Sequence, residues 1–228
     1  MTTSITFGHQ VVSPTRPRRF RALLVIVVLV TAALAIPTLR RPLLRAAGKA
    51  LVVGDALGQA DIVVVATGAD GAGVLEAADL VHGGVATQVA VFADPPGPVV
   101  DREFIRRGIP YEDAAARSVR QLKALGVEAI QQIPRALAGT EDEGRVLPEW
   151  CDQNRFRSVV VVTTSDHSRR LGRVLRRSMK GHPTRVTVQP ARYSQFDPDR
   201  WWETRGGTRT EVVEMEKLLL DILLHPFS

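Results

Sequence analysis

Hydroxyls at Thr163, Thr164 and Ser165 are followed at once by Asp166, His167, Arg169 and Arg170. An imidazole titrates near neutral pH and can pass a proton as general acid or base. Arginine presents a fork of donors matched to phosphate or carboxylate, and a helix start adds its own positive end. The reading is that His167 moves a proton, Arg170 holds an anionic group, and Thr164 and Ser165 orient the ligand. The plainer reading makes Ser165 or Asp166 a helix cap and the arginines a solvated helix face.

Two further segments carry candidate chemistry. In Thr67-Gly68-Ala69-Asp70-Gly71-Ala72-Gly73, the glycines Gly68 and Gly71 allow a phosphate or sugar to approach the backbone at a helix start. Asp70 either takes a ligand hydroxyl or caps the next helix. The spacing is G-x-x-G-x-G, which is neither the dinucleotide pattern nor a P-loop. In Thr140-Glu141-Asp142-Glu143, Thr140 and Glu143 fit a capping box, with a carboxylate cluster as the alternative and Thr140 a further ligand-orienting hydroxyl.

Other residues exclude more than they offer. Neither His-x-x-x-His nor paired cysteines occur, so no structural zinc is expected, and no cofactor follows from these residues. No G-x-S-x-G elbow supports a serine hydrolase. The single cysteine, Cys151, reads as a buried thiol, and His82, His182 and His225 as surface residues. Trp201 and Trp202 suit packing under the last helix, stacking on a sugar, or a membrane interface.

The elements that would position these residues alternate between strand and helix, the pattern of a parallel sheet covered by helices. Strands are expected at Asp61–Ala66, Gln88–Phe92, Ala129–Ile133, Ser158–Thr163 and Arg185–Val188. Helices are expected near 74–81, 100–107, 114–125, from Thr140, 168–180 and 208–224. In the last of these, Val212, Met215, Leu219 and Ile222 are expected to face the core, with Glu211, Glu214, Glu216 and Lys217 in solvent. Ligands of open parallel sheets bind beyond the carboxyl ends of the strands, where the glycine loop and the Thr163–His167 segment fall.

The charge is lopsided. Of 30 basic residues, eight lie before residue 50, where there is no acid, leaving 22 against 24 acidic residues in the rest. Basicity confined to one end argues against a nucleic-acid partner. Between Arg21 and Arg40 runs an 18-residue uncharged stretch, Ala22 to Leu39. At 1.5 Å per residue that is about 27 Å, close to the hydrocarbon thickness of a bilayer. Residues 1–21 therefore read as a basic tail, 22–39 as a transmembrane signal anchor, 40–58 as a connector and 59–228 as the α/β domain. A signal peptide cleaved after Ala35 and a core or interfacial helix are the alternatives. The lipid bilayer is the expected partner of 22–39, with the N-terminus cytoplasmic and the domain outside the cell membrane.

These pieces together resemble the DUF218 family, also called the YdcF or SanA/ElyC-like family, over about Ala60 to Leu224. The resemblance rests on Ala60–Val65 with the glycine loop, Glu76–Leu80 followed by Gly83, Arg107–Pro110, Thr140–Glu143, Val162–Arg170 and Glu214–Lys217. It implies a Rossmann-like α/β fold, a three-layer sandwich with a mostly parallel sheet, behind a membrane helix. It also implies a role in bacterial envelope biogenesis. The chain departs from the family pattern in having no arginine just after the glycine loop, and Glu143 where the family has asparagine. The expected function is binding or processing of a phosphorylated or lipid-linked glycan precursor, with a non-catalytic binding or scaffolding module as the alternative.

Overall fold

A computed structural model of the chain describes residues 25, 35–93, 96–97, 99–111, 113–134 and 139–227. The basic tail and most of the expected span lie outside the described residues. Among the described residues no helix is long and apolar enough to cross a membrane. The chain divides into two units, Met1–Leu44 and Arg45–Ser228, with the division inside helix α1 (Pro37–Leu51). The second unit carries the sheet and the candidate site.

Its five strands are β1 (Ile62–Val65), β2 (Val89–Phe92), β3 (Ile130–Ile133), β4 (Ser158–Thr163) and β5 (Arg185–Pro190). They form one sheet in the order β3-β2-β1-β4-β5, every pairing parallel, which is the Rossmann-like α/β arrangement. Central strands covered on both faces need no polar alternation. Accordingly β1 and β2 are buried at every residue, whereas the edge strands β3 and β5 mix in Gln131, Gln132, Arg185 and Thr187.

Between the strands lie α2 (Asp70–His82), α3 (Val100–Arg106), α4 (Ala114–Ala124), α5 (Thr140–Asn154) and α6 (Ser168–Ser178), and α7 (Arg205–Leu224) ends the chain. Helix α2 packs on α4, and α5 on α6. The right-handed rule for parallel crossovers assigns those two pairs to opposite faces of the sheet. The strand order reverses between β1 and β4, so the loops leaving those two strands part from each other at one edge. Their register is pinned at the other end. The Asp61 carboxylate accepts the backbone N–H groups of Arg157 (2.6 Å) and Ser158 (2.8 Å), which hold its carboxyl below the usual range. Val65 then pairs with Val162, which brings Thr67 and Thr164 to the same edge.

Helix α7 departs from the pattern expected of it. Its inward stripe is Glu211, Glu214, Leu218 and Asp221, while Val212, Leu219 and Ile222 are exposed. Only Met215 of the four expected core residues is partly covered, against a small cluster of Leu51, Phe196, Leu218 and Trp201. Both stripes have helical spacing, so periodicity alone does not say which one turns inward. The decision rests with the arginines of α6. Trp201 packs under α7 as expected, with the Trp202 ring edge-on to it at 5.9 Å.

Helix α2 sits unusually close to β1 because of Gly73. A Cβ there would lie 2.5 Å from the Ala69 Cβ and 2.9 Å from Val65 Cγ1, whereas one at Gly71 meets nothing within 4 Å. Gly73→Ala should therefore destabilise the protein by about 1–3 kcal/mol through overpacking, and Gly71→Ala by less than about 0.5 kcal/mol. Denaturant unfolding of the purified chain checks this, and equal effects at the two positions would contradict the packing.

Candidate functional site

The loops leaving β1 and β4 enclose a cavity of about 550 Å³ with the segment after β5 and the start of α7. Its wall includes Gly68, Asp70 and Gly71 from the first loop, and Thr164 and Asp166 from the second. Tyr193, Ser194 and Phe196 follow β5, and Gly206, Gly207 and Thr210 belong to α7. The volume and the position at the strand-order reversal are those of a small-ligand site in an open α/β sheet. A smaller cleft of about 150 Å³ lies on the other side of the glycine loop, toward β2 and α4.

The glycine loop turns through positive φ at Gly68 (+77°), which glycine adopts freely, and at Asp70 (+43°), which a side chain disfavours. Asp70 has a side chain, so this conformation costs energy that the surrounding structure must support. It is the first residue of α2 and its carboxylate caps nothing; the N-cap is Ala69. The support comes from Glu143, whose Oε1 accepts the Thr67 backbone N–H at 2.5 Å. The capping box expected at Thr140–Glu143 is thus replaced. Gly139, at φ +82°, takes the N-cap position, and both side chains turn away to other partners. The far wall is secured in the same manner: buried Glu76 accepts both the backbone N–H and the Nε of Arg192, each at 3.0 Å.

Behind this cavity, and not in its wall, lies a buried polar cluster. His167 Nε2 is 3.0 Å from Thr140 Oγ1, and its Nδ1 is 3.1 Å from Glu214 Oε2 and 2.9 Å from Arg170 Nη2. Arg170 donates from Nε to Glu214 (3.1 Å) and from Nη1 to Thr140 (2.9 Å), and Lys217 donates to the other Glu214 oxygen (2.7 Å). With Nδ1 protonated, the imidazole donates to Glu214 and accepts the Thr140 hydroxyl proton. With Nε2 protonated, it donates to Thr140 and accepts from Arg170. In either form both ring nitrogens are occupied within the protein.

The structure brings His167, Arg170 and Thr140 together, bonded to one another. The Arg170 charge is met by Glu214 and does not face the cavity, which corrects the expectation that it waits for an anion. Ser165 is buried and donates its hydroxyl to the Phe196 carbonyl, so it shapes the third wall without lining it. Gly68, Asp70, Gly71 and Thr164 do line the cavity. Asp166, Thr210 and the Tyr193–Phe196 segment are wall residues that sequence reasoning did not assign to a ligand.

The remaining arginines of α6 are likewise engaged. Arg169 donates to the carbonyls of Ala50 and Val52, Arg173 to Asp221 and the His225 carbonyl, Arg176 pairs with Asp55, and Arg177 reaches Asp221 and Glu141. A solvated basic face was one reading of this helix; instead it is an internal clamp. Among the described residues one carboxylate–histidine group, Glu141, Asp221 and His225, brings its donor atoms within 4.8 Å of one another. Its carboxylates are already neutralised by Arg173 and Arg177, which disfavours a metal there. Cys151 is buried, and burial pushes its thiol up to about 12.

Burial acts differently on the acids. It raises Glu214, but hydrogen bonds from His167 and Lys217 and the charges of His167 and Arg170 outweigh it, leaving that carboxyl well below the usual range. Burial raises Glu143, offset in part by Thr67 and by the charges of His167 and Arg170, and it raises Asp166, with Glu214 adding to the effect. Glu211, with 3% of its surface exposed and neither side-chain oxygen hydrogen-bonded, is pushed by burial, and then by Asp166, up to about 7.

No family model and no curated protein matches the chain. Among solved structures it is similar to a universal stress protein in complex with cAMP, at 17% identity and a TM-score of 0.36, over 60% of this chain and 100% of that one. A likeness that loose carries no argument about function.

Glu211 gives the site a signature in pH. Unfolded, its carboxyl ionises above about pH 4.5; folded, it keeps its proton until about 7. The folded state thus binds the extra proton, and the stability that Glu211 costs grows between those values and levels off above them. Glu211→Gln should leave stability nearly unchanged at pH 4 and raise it by about 1–3 kcal/mol at pH 8. Thermal unfolding across that range decides, and a gain independent of pH would contradict the assignment.

Proposed function

We propose that this chain is a membrane-anchored, DUF218-like protein of the bacterial cell envelope whose α/β domain binds a hydroxyl-rich ligand, the glycan part of a lipid-linked precursor. The observation that carries the reading is the make-up of the cavity wall. Among the described residues it combines carboxylates (Asp70, Asp166), hydroxyls (Thr164, Tyr193, Ser194, Thr210) and glycine backbone, with no lysine or arginine. Carboxylates and hydroxyls pair with sugar hydroxyls, whereas a polyphosphate asks for cations, and those of α6 are held inside the protein. The three-layer form of the domain, the span at 22–39 and the outward placement of the domain belong to the same proposal.

Binding rather than turnover is favoured because His167 has no free nitrogen and no face in the cavity. One observation favours a second, enzymatic reading. Thr140, His167 and Glu214 form a hydroxyl–imidazole–carboxylate chain at 3.0 and 3.1 Å, an arrangement that activates a nucleophile. Against it, Thr140 is only 6% exposed and outside the cavity wall.

Titration of the purified chain with lipid-linked disaccharides, free glycans and nucleotide sugars tests both readings. Asp166→Asn should weaken glycan binding by roughly tenfold or more, the loss of one hydrogen bond to a charged group. Arg170→Ala should not remove a preference for phosphorylated ligands. Unchanged affinity in the Asp166 variant would sink the binding site as drawn. Turnover that His167→Ala or Thr140→Ala abolishes would establish the enzymatic reading in its place.

A further inference from the structure

The outward face of α7 is the least expected surface of the domain. Val212, Leu219, Leu220 and Leu223 recur at helical spacing along it, followed by Leu224 and Phe227. They are well exposed, Leu223 at 78% and Phe227 at 94%. An aliphatic stripe in water is unfavourable at about 25 cal/mol for each Å² left uncovered, and contiguous patches of this kind mark contact surfaces. The face carries one acid, Glu216. At its N-terminal end a shallow hollow sets Trp202, Val212 and Val213 beside the exposed Arg205 and Arg209, with one carboxylate, Glu203. Aliphatic stripe, tryptophan and arginine side by side are the chemistry of a bilayer interface, where the ring sits at head-group depth and the guanidinium meets anionic lipid.

Chain connectivity points the same way. Leu51 packs on Leu218 and Phe196, and a Cβ at Gly48 would meet Pro198 and Trp201, so the chain enters the domain against α7. Eight residues separate Leu39, the end of the expected span, from Gly48. Their reach is at most about 30 Å. A span at 22–39 would therefore join the domain through a short segment whose last residues pack beside α7.

We infer that the outward face of α7 lies on the lipid surface, as a second membrane contact beside the span. The inference rests on the reading of 22–39 as a membrane anchor and deepens the proposed function. Because α7 also supplies Gly206, Gly207 and Thr210 to the cavity wall, seating it on the bilayer sets the cavity beside the head groups. The ligand it then favours is one presented by a lipid rather than one free in solution.

The full chain in vesicles of equal parts zwitterionic and anionic phospholipid tests this. The native thiol is buried and protonated, so an environment-sensitive thiol label attached at Leu223→Cys, or in a second variant at Leu220→Cys, reports α7 alone. A label at Lys123→Cys on exposed α4 is the control. Nitroxide-bearing lipids should quench the α7 labels at least about three-fold more than the control, as expected for side chains seated in the head-group region. Equal quenching in a chain that resists alkaline extraction from the vesicles would overturn the α7 contact while leaving the anchor intact. Oxidative cross-linking between two Leu223→Cys chains without lipid quenching would overturn it in favour of a second copy. Release of the chain by the alkaline wash would overturn the anchor, and this contact with it.

Discussion

The domain depends on one set of contacts, the arginines of α6 against the carboxylates of α7. Arg170 meets Glu214, and Arg173 and Arg177 both meet Asp221, all with little solvent access. A carboxylate taken from water without such partners would cost several kcal/mol, so each half of this clamp is tolerable only with the other. The clamp decides which stripe of α7 turns inward. It thereby leaves the aliphatic stripe outside and fixes the α7 start, which closes the cavity.

The same contacts explain why the most reactive residue types are not in the cavity wall. His167 and Arg170 sit one layer behind it, where they hold Thr140 at the start of α5. From the first turn of that helix Glu143 reaches the backbone of Thr67. A chain of positioning thus runs from α7 through α6 and α5 to the strained glycine loop. The cavity wall itself is assembled from carboxylates, hydroxyls and main chain. That division of labour suits a rigid binding site for a hydroxylated ligand better than a site that must deliver a proton.

Much of this was legible in the sequence. The buried apolar runs of β1 and β4, the helices between strands and the two loops at the sheet edge follow from pattern and from the rule for open sheets. The sequence names Thr140, His167 and Arg170 as one ligand-handling set but does not disclose that they bond to one another. What the sequence did not disclose depends on pairing between distant helices. Glu143 reads as a capping partner until the loop after β1 is placed beside it. Glu211, Glu214 and Asp221 read as solvated charges until α6 is placed opposite. One local signal was available for the clamp: Arg170, Arg173 and Arg177 share one face of a helix, as do Glu214 and Asp221 on another. Two complementary charged stripes, each beside an apolar one, leave orientation undetermined until they are packed together. Asp166 reads equally as a cap, because a carboxylate at a helix start has that simpler use.

The most direct measurement is a double-mutant cycle between Arg170→Met and Glu214→Gln in the unfolding free energy of the full chain. Arg170→Met leaves Glu214 to Lys217 and His167, and Glu214→Gln leaves the Arg170 guanidinium without its carboxylate. The pair should therefore be coupled, by about 1–3 kcal/mol, with the double variant more stable than the sum of the two losses implies. Strict additivity would contradict a clamp between α6 and α7 as the contact on which the fold of the site depends.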